Sequence, residues 1–174
     1  MNDKNILLVS DEKYLIHGEI FLKSLFLYNK KYKVHYFIIT NNKQLLLNKI
    51  FYEDGVSLYF RKPLGKNEKQ KKAYYANSRV VFCKELFNNT KIKHLMYVDV
   101  DSIIKKNIDN LYKSFFKKKC ILQIKKRKTN KIKNKFMTGI FLIKNNKKFI
   151  NLWLKNLKKI KFLWFGDQIS IYKT

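Results

Sequence analysis

HLMYVDVDSI, residues 94–103, joins a run of apolar residues to two aspartates that are separated by a single valine. The apolar half is typical of a buried strand, whereas the two carboxylates at its end carry like charges that repel each other. If the strand geometry continues, Asp99 and Asp101 point to the same face of the sheet. We therefore expect another group to neutralise the pair.

Strands and helices are predicted to alternate along the chain on both sides of this stretch. The patterns predict strands at 5–10, 34–40, 56–60, 94–98, 119–124 and 136–144, and helices at 14–28, 45–50, 73–87, 107–116 and 146–160. The basic, unpatterned segments 61–72 and 125–135 are predicted to be loops. Such an alternation is typical of an α/β domain whose mainly parallel sheet is flanked by helices. Ligands of these sheets bind beyond the carboxyl ends of the strands, where the two aspartates fall.

The net charge of +27 invites a nucleic-acid interpretation, and a basic nucleic-acid-binding module is one alternative for the function. However, 36 of the 39 basic residues are lysine, and alanine, glycine and proline are scarce. Lysine and asparagine have A/T-rich codons, and dedicated nucleic-acid readers favour arginine for bidentate contacts. We attribute most of the charge to an AT-rich genome, and we do not expect nucleic acid as a partner.

The cysteines and the N-terminal residues indicate the cellular compartment. The cysteines, Cys83 and Cys120, have no metal or redox spacing, and the N-terminal apolar run is too short for a signal peptide. No stretch approaches the length of a membrane span. We expect a cytoplasmic, reduced protein, and the lysine excess would also suit peripheral contact with the anionic inner face of a membrane.

The two aspartates suggest a metal site. Paired carboxylates without a nearby histidine or cysteine suit a hard, oxygen-preferring cation such as Mg²⁺ or Mn²⁺, which can also bind substrate phosphates. The alternative is that one aspartate caps the segment 102–114 and the other is solvated.

The order of these segments resembles a known family of enzymes. A strand–helix–strand–helix–strand series, a helix that contains Arg79, and then YVDVD at 97–101 resemble GT-A-fold, nucleotide-sugar-dependent glycosyltransferases. The closest likeness is to the galactosyltransferase- and glycogenin-like enzymes (glycosyltransferase family 8-type). The resemblance implies one GT-A (Rossmann-like) domain over residues 1–174. It also implies transfer of a sugar from a UDP-sugar to a glycan, lipid or protein acceptor.

The same resemblance implies roles for individual residues. The D-x-D tripeptide, Asp99, Val100 and Asp101, would lie at the donor diphosphate, with the two aspartates binding Mn²⁺ or Mg²⁺. Such an ion would act as a Lewis acid for the leaving oxygen. Further segments match in order: ILLVSDEKY (6–14), AYYANSRVVFCKELF (73–87), FMTGIFLIKNNKKF (136–149) and FGDQISIY (165–172). They imply donor contacts from Ser10, Asp11, Tyr14, Arg79 and Gly139, and catalytic positions for Asp167 and Gln168.

Two departures from the family pattern are visible. Met137 replaces the asparagine of the family's F-N-x-G segment, and this removes a contact to donor sugar hydroxyls. The family's third metal ligand is a histidine well beyond the D-Q segment, and this sequence ends at Thr174. Either the two aspartates, phosphates and water suffice with weak metal affinity, or a partner contributes, or the domain is shortened at its C-terminus or inactive. A degenerate transferase that only binds is therefore a further alternative.

Some of these residues also have purely structural interpretations. Arg79 could pair with Glu85, and Asp167 with Gln168 could cap a terminal helix. Trp153 and Trp164 fit the core and its rim better than a platform for sugars.

Overall fold

The computed structural model describes residues 4–42, 54–129, 131, 135–160 and 163–174. Within them, one sheet contains β1 (Lys4–Asp11), β2 (Tyr32–Ile39), β3 (Val56–Arg61), β4 (His94–Val98), β5 (Leu122–Lys126) and β6 (Phe136–Lys144). The helices are α1 (Leu15–Tyr28), α2 (Glu68–Asn89), α3 (Asp109–Lys117), α4 (Lys147–Lys159) and α5 (Gly166–Tyr172), and a 3₁₀ turn (Glu12–Tyr14) precedes α1. The predicted helix at 45–50 lies outside the described residues.

The strand order places a topological switch point at β1. The order is β3-β2-β1-β4-β6-β5, with the first four strands parallel and β6 antiparallel to both β4 and β5. Chain connections therefore leave β1 toward β2 on one side and reach β4 on the other. A crevice at the carboxyl ends of such strands is where open α/β sheets bind ligands. The prediction of a mixed, mainly parallel α/β sheet is confirmed.

Helices cover both faces of the sheet because the central strands are apolar on both sides. In β1, Leu7 and Val9 belong to the core cluster that packs against α2, α4 and α5, whereas Ile6 and Leu8 belong to the cluster under α1 and α3. Side chains alternate between the two faces of a strand, so a continuous apolar run is required where both faces are covered. None of the described helices is both long and apolar enough to span a lipid bilayer.

Three predicted boundaries are wrong. The segment 61–72 is a loop only in its first part, because α2 begins at Glu68. The Asn67 side chain accepts a hydrogen bond from the Gln70 N–H at 3.0 Å, which is an N-cap that the basic composition concealed. In the same way β5 runs from Leu122 to Lys126 rather than over 119–124, so its end enters the predicted loop 125–135.

The fold generates a prediction about pH through His35, which is buried in β2 between Asn5 and Tyr59. Its ring nitrogens lie 3.1 Å from Asn5 Oδ1 and 3.2 Å from the Tyr59 hydroxyl. Burial, helped by the charge of Lys33, lowers the pKa of His35 from 6.5 to about 4. The unfolded chain therefore takes up this proton at a higher pH than the folded chain. Stability from the neutral ring is complete above pH 6.5 and is lost as the pH falls through about 4.

We expect this loss to reach about 3 kcal/mol in the free energy of unfolding. Urea titrations from pH 7.5 to 4 on the wild type and His35→Gln would measure it, because the difference between the two curves isolates His35 from the carboxylates. A wild-type curve parallel to the His35→Gln curve over this range would contradict the prediction.

Candidate functional site

The D-x-D segment leaves the sheet immediately after β4. The strand ends at Val98, and Asp99 begins a turn in which its carbonyl accepts a hydrogen bond from the Ser102 N–H at 3.2 Å. The expectation that strand geometry carries both aspartates to one face is therefore wrong. Asp99 is partly buried, Val100 is buried in the core, and Asp101 is exposed. The charge of Asp101 still acts on Asp99.

A bulge in β6 lies beside this turn. Pairing with β5 jumps from Phe141 to Met137 between two consecutive β5 residues, so positions 138–140 fall outside the ladder with β5, although Ile140 still pairs with Val98 of β4. Two carbonyls of the bulge point to the site: Gly139 O accepts from the Asp99 N–H at 2.7 Å, and Thr138 O accepts from Arg79 Nη1 at 2.9 Å. Bulges commonly re-aim the backbone next to functional sites.

Arg79, on α2, is the centre of a charged cluster. Its Nη1 lies 3.1 Å from Asp99 Oδ1 and its Nε lies 3.5 Å from Asp167 Oδ2. The guanidinium also lies over the Tyr97 ring, 4.8 Å from the centroid, and Nε donates to the Ala76 carbonyl at 2.8 Å. Burial opposes the charge, but Tyr97, Asp167 and Asp99 together raise the pKa of Arg79. The guanidinium is therefore the group that neutralises Asp99, and the Glu85 alternative is wrong because Glu85 pairs with Arg61.

Asp99 is held by a second contact from its own strand. The Tyr97 hydroxyl donates to Asp99 Oδ1 at 2.6 Å. Burial raises the pKa of Asp99, while Arg79 and the Tyr97 hydrogen bond act in the opposite direction. One carboxylate oxygen of Asp99 is thus occupied by protein groups.

Gly139 makes room for the other oxygen. A Cβ at position 139 would lie 2.6 Å from Asp99 Oδ2, which is closer than Cβ atoms approach other atoms in real structures. The glycine of the F-N-x-G-like segment is therefore a spatial requirement of Asp99.

Asp167 lies in the first turn of α5 and is almost completely buried, with 2% of its surface exposed. Its Oδ1 accepts from the Gln168 N–H at 2.9 Å, but Oδ2 makes no hydrogen bond within the described part of the chain. Burial raises the pKa of Asp167, while Arg79 and the Thr138 side chain act in the opposite direction. The N-cap of α5 is Phe165 and not Asp167. A buried carboxylate oxygen without a hydrogen bond is rare in folded proteins, and it is suited to a ligand hydroxyl.

Two buried side chains fix the position of Asp167. Asn77 Oδ1 accepts from the Asp167 N–H at 2.7 Å, while its Nδ2 donates to the carbonyls of Ala73 at 2.6 Å and Leu163 at 2.8 Å. Trp153 on α4 donates from Nε1 to Ser170 Oγ at 2.9 Å. Helix α5 is therefore tied to both α2 and α4.

A cavity of about 340 Å³ opens at this cluster. It lies at the carboxyl end of β4, where the antiparallel β6 begins. Its lining is both charged and apolar: Ala76, Arg79, Asp99, Arg127, Phe136, Met137, Thr138, Gly139, Trp164, Phe165, Asp167 and Gln168. The sequence thus predicted five residues that the fold brings together: Arg79, Asp99, Gly139, Asp167 and Gln168.

The three donor-contact residues predicted from the segment 6–14 do not line this cavity. Ser10 and Asp11 are the last two residues of β1, which is the parallel neighbour of β4, and Tyr14 lies in the 3₁₀ turn that follows β1. The Ser10 hydroxyl is buried and lies 2.7 Å from the Tyr36 hydroxyl, and Asp11 accepts from the Lys13 N–H. Tyr14 is exposed. Donor contacts from these three residues stay a prediction. Ser10 is the weakest candidate, because its hydroxyl already has a partner.

Asp99 and Asp101 are the carboxylates that the sequence predicts as metal ligands. The described residues contain no group of three or more histidine, cysteine, aspartate or glutamate side chains that could hold a metal ion. Asp99 Oδ2 and the exposed Asp101 carboxylate are oxygen donors of the type that Mg²⁺ and Mn²⁺ prefer. Magnesium uses about six ligands, so these residues fit an ion only if phosphate and water oxygens complete the set.

This chain is similar to known proteins in its fold. No protein-family model and no curated protein matches this sequence. The apo form of the glycosyltransferase GlyE from Streptococcus pneumoniae TIGR4 superposes with a TM-score of 0.65 at 17% identity, over 98% of this chain and 42% of GlyE. The chain has the GT-A-like fold of a glycosyltransferase. It nevertheless spans less than half the length of GlyE.

The structures of two other glycosyltransferases are also similar to this chain. The apo structure of the bifunctional glycosyltransferase WbbM has a TM-score of 0.64 at 14% identity, over 99% of this chain and 37% of WbbM. The galactosyltransferase LgtC, solved in complex with donor and acceptor sugar analogs, has a TM-score of 0.64 at 9% identity, over 97% of this chain and 70% of LgtC. The GT-A fold that the sequence resemblance implied is confirmed.

Sequence reasoning missed several residues of the site. Tyr97 precedes Asp99 by two positions, a spacing that could have indicated a contact along a strand. Asn77, a buried amide in a long helix, gave a weaker signal. Trp164 was assigned to the core and its rim, yet its side chain is 55% exposed and lines the cavity, whereas Trp153 is a core residue.

We predict that Arg79→Lys destabilises the protein by about 2 kcal/mol, because a lysine ammonium cannot contact both carboxylates and both carbonyls at once. Arg61→Lys is the matched control, since Arg61 pairs with Glu85 at a more exposed position and should cost less than about 1 kcal/mol. Denaturant unfolding measures both values. Equal losses in the two variants would contradict a special role for Arg79.

We also predict that Gly139→Ala destabilises the protein by about 1–3 kcal/mol through overlap with Asp99. In an Asp99→Ala background the same substitution should cost close to nothing, because the overlapping oxygen is absent. Free energies of unfolding for the wild type, both single variants and the double variant complete this cycle. Additive losses would show that the glycine is required for another reason.

Proposed function

We propose that the protein is a glycosyltransferase that moves a sugar from a nucleotide-sugar donor, a UDP-sugar, to an acceptor hydroxyl. The observation that carries the proposal is the Arg79 cluster: Asp99, Arg79 and Asp167 come from three distant segments and meet at a cavity in a glycosyltransferase-like fold. A scaffold alone requires no carboxylate with a raised pKa at such a place, and perturbed groups of this kind concentrate at functional sites.

Asp167 and Arg79 have complementary tasks in this proposal. Asp167 Oδ2, buried and without a hydrogen bond, would accept one from a hydroxyl of the donor sugar. Arg79 would supply positive charge near the diphosphate oxygen that leaves the anomeric carbon. Gln168, the next residue along α5, would contribute an amide at the same sugar.

The transfer step can be written without a covalent intermediate. The acceptor hydroxyl oxygen forms a bond to the anomeric carbon while the bond from that carbon to the diphosphate oxygen breaks. UDP leaves with the electron pair, and the acceptor proton passes to the released phosphate or to water. We assign no covalent nucleophile and no stereochemical outcome to this chain.

A divalent cation, Mn²⁺ or Mg²⁺, is part of the proposal. When bound, it would neutralise the diphosphate and act as a Lewis acid. Asp101 would be the more direct ligand, because it is exposed and close enough for its charge to act on Asp99. Asp99 would contribute through Oδ2, since Oδ1 is occupied by Tyr97 and Arg79. The small protein ligand set implies that the ion binds weakly by itself and tightly only with the diphosphate.

Calorimetric titration of UDP with and without Mn²⁺ tests the proposal. We expect UDP to bind in the presence of Mn²⁺, and Asp101→Asn to weaken this binding at least about tenfold through loss of a charged ligand. Asp54→Asn is the matched control, because Asp54 is an exposed aspartate that lines a different groove.

Three other outcomes would decide between the alternatives. Failure of UDP to bind under either condition, together with RNA binding that weakens steeply with salt, would replace the proposal by a nucleic-acid function. UDP binding without sugar release or transfer from any UDP-hexose would identify a degenerate transferase. Binding that is equal with and without Mn²⁺ would remove the metal from the proposal and leave the donor.

A further inference from the structure

The cavity has an apolar part that the proposed transfer does not use. Phe136 and Met137 enter it from the first residues of β6, and Trp164 and Phe165 enter it from the turn before α5. The Trp164 side chain is 55% exposed although it lines a concave site. An exposed tryptophan at a polar cavity is a feature of ligand contact rather than of core packing.

Met137 makes this part of the cavity suited to a methyl group and unsuited to a hydroxyl. A thioether is a very weak hydrogen-bond acceptor and donates nothing, so Met137 cannot satisfy a sugar hydroxyl buried against it. A hydroxyl placed there would lose its water partners without replacement, which is unfavourable. A methyl group in the same place would lose no hydrogen bond, and burying it is favourable.

The polar part of the cavity supplies what an amide would need. Arg127 is exposed and lines the cavity, and its guanidinium carries several N–H donors for a carbonyl oxygen. The Gln168 side chain carries both a donor and an acceptor. A substituent that combines an amide with a methyl therefore matches both chemistries of the lining.

We propose that the cavity selects a donor sugar that carries an N-acetylamino group, with Met137 as the specificity-determining residue against the acetyl methyl. This inference rests on the proposed function, since it names the substrate class of the same site. Asp167 and Arg79 would serve the ring hydroxyls and the leaving group in either kind of donor, so they do not discriminate between them.

The test compares matched donors on the complete chain by calorimetric titration with Mn²⁺. UDP-N-acetylglucosamine is paired with UDP-glucose, and UDP-N-acetylgalactosamine with UDP-galactose. We expect the acetylated donor of at least one pair to bind at least about four-fold more tightly, which corresponds to one buried methyl group. Met137→Asn should abolish or reverse the preference, because an amide can bind a hydroxyl.

Two controls separate this inference from misfolding and from the proposed function. Met137→Leu keeps an apolar side chain of similar volume and should keep the preference. UDP alone should bind equally to the wild type and Met137→Asn, since it lacks the transferred hexose that would reach Met137. Two results would overturn the inference while UDP still binds and the proposed function stays intact. One is equal affinity for the two donors within each pair, and the other is an unchanged donor preference in Met137→Asn. Absence of UDP binding overturns both the inference and the proposed function.

Discussion

The charge of Arg79, held away from water between Asp99 and Asp167, is the constraint on which the site depends. A buried guanidinium needs both opposite charge and hydrogen-bond acceptors, and here three elements besides its own helix provide them: the end of β4, the bulge of β6 and the first turn of α5. Two of these elements, the turn after β4 and the bulge of β6, are irregular where they meet Arg79. The backbone departs from regular strand geometry where it supplies groups that contact the charge of Arg79.

Two kinds of compensation are visible around this charge. On one side Asp99 is held through one oxygen, because Tyr97 and Arg79 share Oδ1, and the missing side chain of Gly139 leaves space for Oδ2. On the other side Asp167 is anchored through its backbone while Oδ2 is left without a hydrogen bond. Each carboxylate is therefore anchored by protein groups, and Oδ2 of Asp167 is a buried oxygen that has only an ion pair with Arg79 and no hydrogen bond within the described residues. This missing hydrogen bond is the physical basis for assigning Asp167 to a ligand hydroxyl.

Most of the sheet could be predicted from the sequence, because apolar strands buried on both faces leave a strong pattern in the chain. The charged cluster could be assembled only through the resemblance, since residues 79, 99 and 167 are far apart in sequence and no spacing rule connects them. Local exceptions to the pattern were not predictable. The N-cap at Asn67 was hidden in a basic run, and the end of β4 at Val98 was predicted but the turn that follows it at Asp99 was not. The roles of Trp164 and Arg127 depend on the cavity shape, which the sequence does not encode locally.

The three hydrogen bonds of the Asn77 side chain have a consequence for motion. One stays within α2, at the Ala73 carbonyl, and the other two connect α2 to both ends of the segment 163–167, which carries Trp164 and Phe165 of the cavity. The segment cannot detach at one end while the amide stays satisfied, so its opening and that of α5 belong to one cooperative unit. Amide hydrogen exchange at Asp167 therefore reports on the opening of this part of the cavity wall. In a chain with so many surface lysines, two neutral side chains, Asn77 and Trp153, hold that part in place.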